Sequence, residues 1–116
     1  MEKSKETLIK QLLKFRKERN WEQFHTAKSL AISISIETSE LLSIFQWIKD
    51  DKLEEYIKEK FADIKDEIAD IYIYLSFLAY DLGIDLEEVA KEKIILNAKR
   101  YPISKAKDSS KKYTEL

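Results

Sequence analysis

Residues 67–80 read Glu-Ile-Ala-Asp-Ile-Tyr-Ile-Tyr-Leu-Ser-Phe-Leu-Ala-Tyr, and from Ile68 onward the run is apolar on nearly every side. A helix that is hydrophobic all round is a buried one. Asp70 nevertheless sits inside it, three residues after Glu67, a spacing that puts both carboxylates on one helix face. The same spacing recurs upstream in Glu37-Thr38-Ser39-Glu40. There the apolar stripe runs Leu30, Ile34, Leu41, Ile44 or Phe45 and Ile48, and Glu37 takes the step between Ile34 and Leu41. Isolated ionised carboxylates are too costly to bury, so a cluster that persists has to be neutralised by protons, cationic partners or metal. With 26 residues between the pairs, a hairpin of antiparallel helices brings the four acids together. Hard oxygen ligands of that kind favour magnesium or manganese.

Glycine and proline occur once each in 116 residues. So few breakers leave room for long helices and almost none for turn-rich β architecture. A hydrophobic content of 44% suffices for one domain with a modest core. The 21 basic and 22 acidic residues nearly cancel, which argues against a dedicated nucleic-acid binder. Cysteine is absent, so disulfides and thiolate metal sites are excluded, and no apolar run is long enough to span a bilayer. The expected compartment is the cytoplasm.

A first helix is expected from about Ser4 to Arg19, its buried edge formed by Leu8, Leu12 and Phe15 with Leu13 or Arg19. Asn20 to His25 reads as a connection carrying Trp21, Phe24 and the only histidine, with Thr26 as N-cap of the next helix, which runs to about Ile48. Within it, Ala31 to Ile36 alternates like a strand, but the flanking periodicity and the lack of breakers favour helix. A break at Asp50 to Lys52 and a short helix over Leu53 to Lys58 precede a long helix that ends near Leu82, with Gly83 as its stop. Asp85 and Glu88 form a capping-box-like start for a last helix to Arg100, ended by Tyr101-Pro102. The tail, Ile103 to Leu116, is Lys-rich and by itself too polar to pack.

Metal held by Glu37, Glu40, Glu67 and Asp70 would leave positions for water and phosphate oxygens. A lone Glu-x-x-Glu in a Lys-rich chain is ordinarily a solvated face; two pairs in core-like surroundings reverse that reading. A di-iron four-helix site would want Glu-x-x-His pairs, and His25 is in none. Trp21, Trp47 and Tyr74 are candidates for a base-stacking pocket. Tyr74 lies one turn beyond Asp70, and Trp47 two turns beyond Glu40, although singly each reads as a core aromatic. Lys93, Asn97, Arg100 and Tyr101 share a side of the last helix and could donate to phosphate or sugar oxygens. Lys93 and Arg100 alone read as surface charges, and His25 alone as structural.

The ordered segments Arg19-Asn20-Trp21-Glu22-Gln23-Phe24-His25, the two acidic pairs, Phe45-Gln46-Trp47, Ile73-Tyr74-Leu75, Asn97 to Pro102 and Ser109 to Leu116 resemble the all-α nucleoside triphosphate pyrophosphohydrolases, the MazG-like proteins, and more closely their dCTP pyrophosphatase branch. The resemblance implies an all-α, four- to five-helix MazG-like bundle over residues 1–102, its core completed by subunit pairing into a homodimer or homotetramer, and a tail over 103–116. It implies magnesium on Glu37, Glu40, Glu67 and Asp70, with manganese as the alternative ion. The implied reaction is hydrolysis between the α and β phosphates of dCTP or related modified pyrimidine deoxynucleotides, giving monophosphate and pyrophosphate for nucleotide-pool control. By the same resemblance Trp21, Trp47 and Tyr74 line the base and sugar pocket. His25, Lys93, Asn97, Arg100 and Tyr101 match positions near the nucleotide, some reaching it from a neighbouring subunit. Vertebrate relatives carry a histidine where this chain has Leu12, and loss of that polar contact relaxes discrimination among pyrimidines. The rival readings are a broad-specificity housecleaning pyrophosphatase and a non-enzymatic helical interaction module.

Overall fold

The structure, a computed structural model, describes residues 7–116. It contains helices and connecting turns, in two compact units that meet at Gly83 and Ile84 in the chain. The described part of the first unit opens with α1, Leu8–Glu18. The expected earlier start at Ser4 lies outside the described residues; Thr7 caps the helix by accepting from the Lys10 amide. Asn20 then adopts a left-handed backbone, φ 53°, a conformation that asparagine tolerates better than most residues. A turn of 3-10 helix, Trp21–Phe24, follows.

Helix α2 spans Ala27–Phe45, with the Thr26 hydroxyl accepting from the Ser29 amide at 3.1 Å as its cap. Downstream of the strand-like alternation, hydroxyl side chains are accommodated in the helix by bonding back one turn: Thr38 donates to the Ile34 carbonyl at 2.7 Å, Ser39 to Ser35 and Ser43 to Ser39, both at 2.9 Å. The helix stops three residues short of the expected Ile48. Gln46 and Ile48 instead bond to carbonyls three residues back, at 3.4 Å each, the tightening common at helix ends. Trp47 therefore leaves the helical register. A 3-10 turn, Asp50–Lys52, leads into α3, Leu53–Glu59, where the Tyr56 hydroxyl donates to the Ile44 carbonyl and ties α3 to α2.

Helix α4, Phe61–Asp81, packs chiefly along α2, with α1 laid against it. Leu30 of α2, Leu12 of α1 and Phe77 of α4 form the centre of this core, with Ile73, Tyr74 and Leu78 packed around them. Leu30 is 1% exposed, so truncation to alanine should cost about 2–5 kcal/mol. The all-round burial expected of residues 68–80 is not met within one chain: Ile68, Tyr72 and Tyr80 of α4 are each more than half exposed, as are Ile36 and Leu42 of α2. The neighbours within one chain cover only part of an all-apolar helix. The helix ends at Gly83, whose φ of 68° suits glycine at a C-terminal stop.

The second unit contains α5, Leu86–Arg100, capped by Asp85 accepting from the Glu88 amide at 3.1 Å. Pro102 precedes a single turn, α6, Ile103–Ala106, and Tyr113–Glu115 forms a last 3-10 turn. The tail is not devoid of packing, as its polarity suggested. Tyr113 sets its ring edge to face against Tyr101 at 5.9 Å, and Arg100 lies over Tyr113 at 4.9 Å. Among the described residues no helix is long and apolar enough to cross a membrane.

Candidate active site

Pairing α2 with α4 brings Glu37 to Glu67 and Asp70, and each of the three offers a carboxylate oxygen within 4.8 Å of the others. One oxygen of Glu37 and one of Glu67 are buried without a hydrogen-bond partner among the described residues. Burial pushes Glu37 up to about 7, helped by contact with the Glu40 and Glu67 carboxyls and by the charges of Glu40 and Asp70. Burial likewise raises Glu67; the charges of Glu40 and Asp70 add to the rise and its contact with Glu37 opposes it. Glu40 is exposed and approaches both Glu37 and Glu67 without belonging to the closest trio. Orphaned carboxylate oxygens converging from two helices, with no ion pair reaching them among the described residues, are a set that a hard divalent cation fits.

Beside this cluster lies a cavity of about 430 Å³, walled by Phe15, Trp21 and Phe24 and by Ile73, Tyr74 and Phe77, with His25 and Asp70 as its charged or titratable members. The aromatic walls brace one another: Phe15 meets Trp21 edge to face at 5.6 Å, and His25 lies 6.4 Å from Tyr74 and 5.2 Å from Phe77. Burial lowers the His25 pKa, the charge of Arg16 lowers it further, and Asp81 opposes them. The surroundings thus favour the neutral imidazole. Asp70 belongs both to the acid trio and to the cavity wall, so a ligand in the cavity lies next to the acids.

Within the first unit, one residue expected in the base pocket lies apart from this cavity. Trp47 is 85% exposed and borders a separate hollow of about 190 Å³ with Ile44, Ile48 and Tyr56. Lys93, Asn97, Arg100 and Tyr101 belong to the second unit, where Lys93 and Asn97 are exposed and Arg100 and Tyr101 engage Tyr113. Leu12, the position tied to base selectivity, is 8% exposed within the core against Leu30 and Phe77, on the buried edge expected of α1.

Sequence reasoning missed Arg16 and Asp81. Both guanidinium NH groups donate to the two Asp81 oxygens at 2.9 Å, Arg16 is 6% exposed, and its guanidinium lies 4.8 Å from the centre of the Phe77 ring. The buried edge of α1 thus continues through Arg16, whereas Arg19 is exposed and stacks on Phe15. A signal was present: each charge falls four residues after a core position, Leu12 or Phe77, and so on the same helix face.

Comparison with known proteins places these features in a family. The family model described as MazG-like matches residues 32–116, a stretch that holds all four acids. The dCTP pyrophosphatase 1 of Homo sapiens is 38% identical over 104 residues, covering 88% of this chain and 61% of the human protein. That of Bos taurus is 36% identical over 104 residues, covering 88% and 62%. The chain thus spans about three fifths of the length of the curated relatives it matches. The crystal structure of a pyrophosphatase from Archaeoglobus fulgidus DSM 4304 aligns with a TM-score of 0.80 and 38% identity, over 88% of this chain and 99% of that one.

Proposed function

Because this chain belongs to the MazG-like family, we propose that it is a magnesium-dependent nucleoside triphosphate pyrophosphatase that hydrolyses dCTP or a related pyrimidine deoxynucleotide to the monophosphate and pyrophosphate. The observation that carries this reading is Asp70, one carboxylate common to the acid trio and to the aromatic cavity. A base stacked among Trp21, Tyr74 and the phenylalanines is desolvated on an apolar surface, and its phosphates then fall toward the acids. Glu37, Glu67 and Asp70, with Glu40 beside them, would hold a divalent cation, which would supply neutralisation of the charge that develops at phosphorus. Glu40, exposed next to the trio, is the carboxylate left to orient or deprotonate the attacking water. Neutral His25 presents a hydrogen-bonding group to the ligand without repelling the metal.

Pairing of subunits completes the molecule on this reading. The apolar residues that α2 and α4 leave exposed, Ile36, Leu42, Ile68 and Tyr72, are what a homodimer or homotetramer would cover. Lys93, Asn97, Arg100, Tyr101 and Trp47 would then reach nucleotide through the assembly. The test is pyrophosphate release from a panel of deoxy- and ribonucleotides with magnesium, with manganese, and with chelator. We expect release with metal, greatest for pyrimidine deoxynucleotides; no metal-dependent release from any nucleotide would overturn the proposal.

A further inference from the structure

We propose that the Arg16–Asp81 pair is a positioning clamp for the nucleotide cavity, fixing Phe77 and His25 as its inner wall and thereby setting which bases the wall admits. This rests on the reading of the cavity as a nucleotide site. The pair joins α1 to the last turn of α4 through two parallel 2.9 Å bonds, the bidentate geometry in which arginine is most directional. The held guanidinium backs the Phe77 ring at 4.8 Å, and Phe77, 3% exposed, touches the cavity on one side and the core on the other. His25 packs on the same ring. Two buried nitrogens beside this ring, the Arg16 Nε and the His25 Nδ1, have no hydrogen-bond partner among the described residues. A pair needed only to fasten α1 would require none of that contact with the cavity wall; an apolar pair of similar volume would fasten it as well or better.

The charged groups facing His25 are Arg16 from α1, Asp81 from the end of α4 and Asp70 across the cavity. Because His25 is the only histidine in the chain, its titration can be followed by NMR without ambiguity in the free, metal-free protein. Arg16→Met should raise the His25 pKa and Asp81→Asn should lower it, opposite shifts in two variants that weaken the same helix junction. Loosening of the fold alone would move both the same way, toward the value of exposed histidine. In steady-state assays with dCTP, Arg16→Met should raise KM by about tenfold with kcat within about twofold, because the clamp shapes base binding and not the reacting phosphates. The ratio of kcat/KM for dCTP over dATP should fall with it. Should Arg16→Met not fold, Arg16→Lys keeps the charge without the fork: the KM rise should persist with the His25 titration near that of the unmodified chain. Like-signed His25 shifts, or unchanged KM and base preference in folded variants, would overturn the clamp. If the unmodified chain hydrolyses no nucleotide, the enzymatic reading fails by itself, and the His25 titrations still decide whether the pair acts on the wall.

Discussion

Helix α4 meets a charge problem twice and resolves it in opposite ways. At Asp81 the carboxylate receives a fork of two 2.9 Å bonds from Arg16, and the pair is closed within the chain. About two turns after its start, Glu67 and Asp70 face Glu37 with like charges, an orphaned oxygen on each of Glu37 and Glu67, and a Glu37 pKa near 7. In the first arrangement the two charges neutralise each other as folded, and losing either partner strands a charge. The second is strained as folded, and only protons or an added cation relieve it, which is why it marks a candidate for chemistry and the first does not.

The largest effect should come from opening the acid cluster. Asp70→Asn or Glu67→Gln should reduce kcat by about 100-fold or more, above the roughly 10–100-fold typical when only a partner that supports a metal ligand is lost, measured as pyrophosphate release under saturating magnesium. Melting of the metal-free variants above neutral pH should be no lower than that of the unmodified chain, since an amide removes a repulsive charge at similar volume. Near-normal turnover in either variant would break the contrast between the two charge sites.

Stability should respond in the reverse order. Asp81→Ala should cost about 2–3 kcal/mol, below the 3–5 typical of a fully buried pair because the Asp81 side chain is 27% exposed; Glu37→Gln should be neutral or stabilising. Urea melts of the metal-free proteins decide it, and equal losses in the two variants would erase the distinction.

A smaller, signed effect follows from protonation. Glu37 has a pKa of about 7 in the folded chain against an ordinary value of 4.5, so between these limits the folded state holds a proton that the unfolded state has released. Stability of the metal-free protein should therefore fall as pH rises from about 4.5 to about 7 and level off above. Raised Glu67 adds in the same direction. Magnesium should flatten or invert the slope, because it binds the deprotonated set. Thermal melts across pH with and without magnesium measure this; a metal-free protein that gains stability through that window would contradict the cluster as drawn.

The helices were legible because their signals are local. Thr26 and Asp85 cap the helices they were expected to cap, and Gly83 stops α4 with the positive φ its position requires. The acid cluster was legible for another reason: a carboxylate in an apolar stripe conflicts with its surroundings, and such conflicts gather at sites. Arg16 escaped because a charged residue on an amphipathic helix looks like its solvated neighbours until its partner, 65 residues on, is placed beside it. Phe15 and Phe77 escaped as site residues because a cavity wall and a core position carry the same apolar signal. The end of α2 was misplaced by three residues because nothing in Phe45-Gln46-Trp47 forbids helix; the carbonyls that Gln46 and Ile48 choose are a tertiary outcome.

The smallest expected effect in a single chain concerns Trp47, and it separates what one subunit does from what an assembly does. Trp21 is braced by Phe15 on the cavity wall, whereas Trp47 is 85% exposed beyond the end of α2. Trp47→Ala should change the stability of the monomer by no more than about 0.5 kcal/mol, as for surface positions in general. Trp21→Ala should raise KM for every pyrimidine nucleotide, since base stacking contributes roughly 1–3 kcal/mol with little regard to base. If Trp47 closes the pocket of a neighbouring subunit, Trp47→Ala should weaken nucleotide binding to a similar degree while leaving the melting of the dissociated chain unchanged. A KM that stays at the unmodified value in the Trp47 variant would confine base stacking to the cavity between Trp21 and Tyr74.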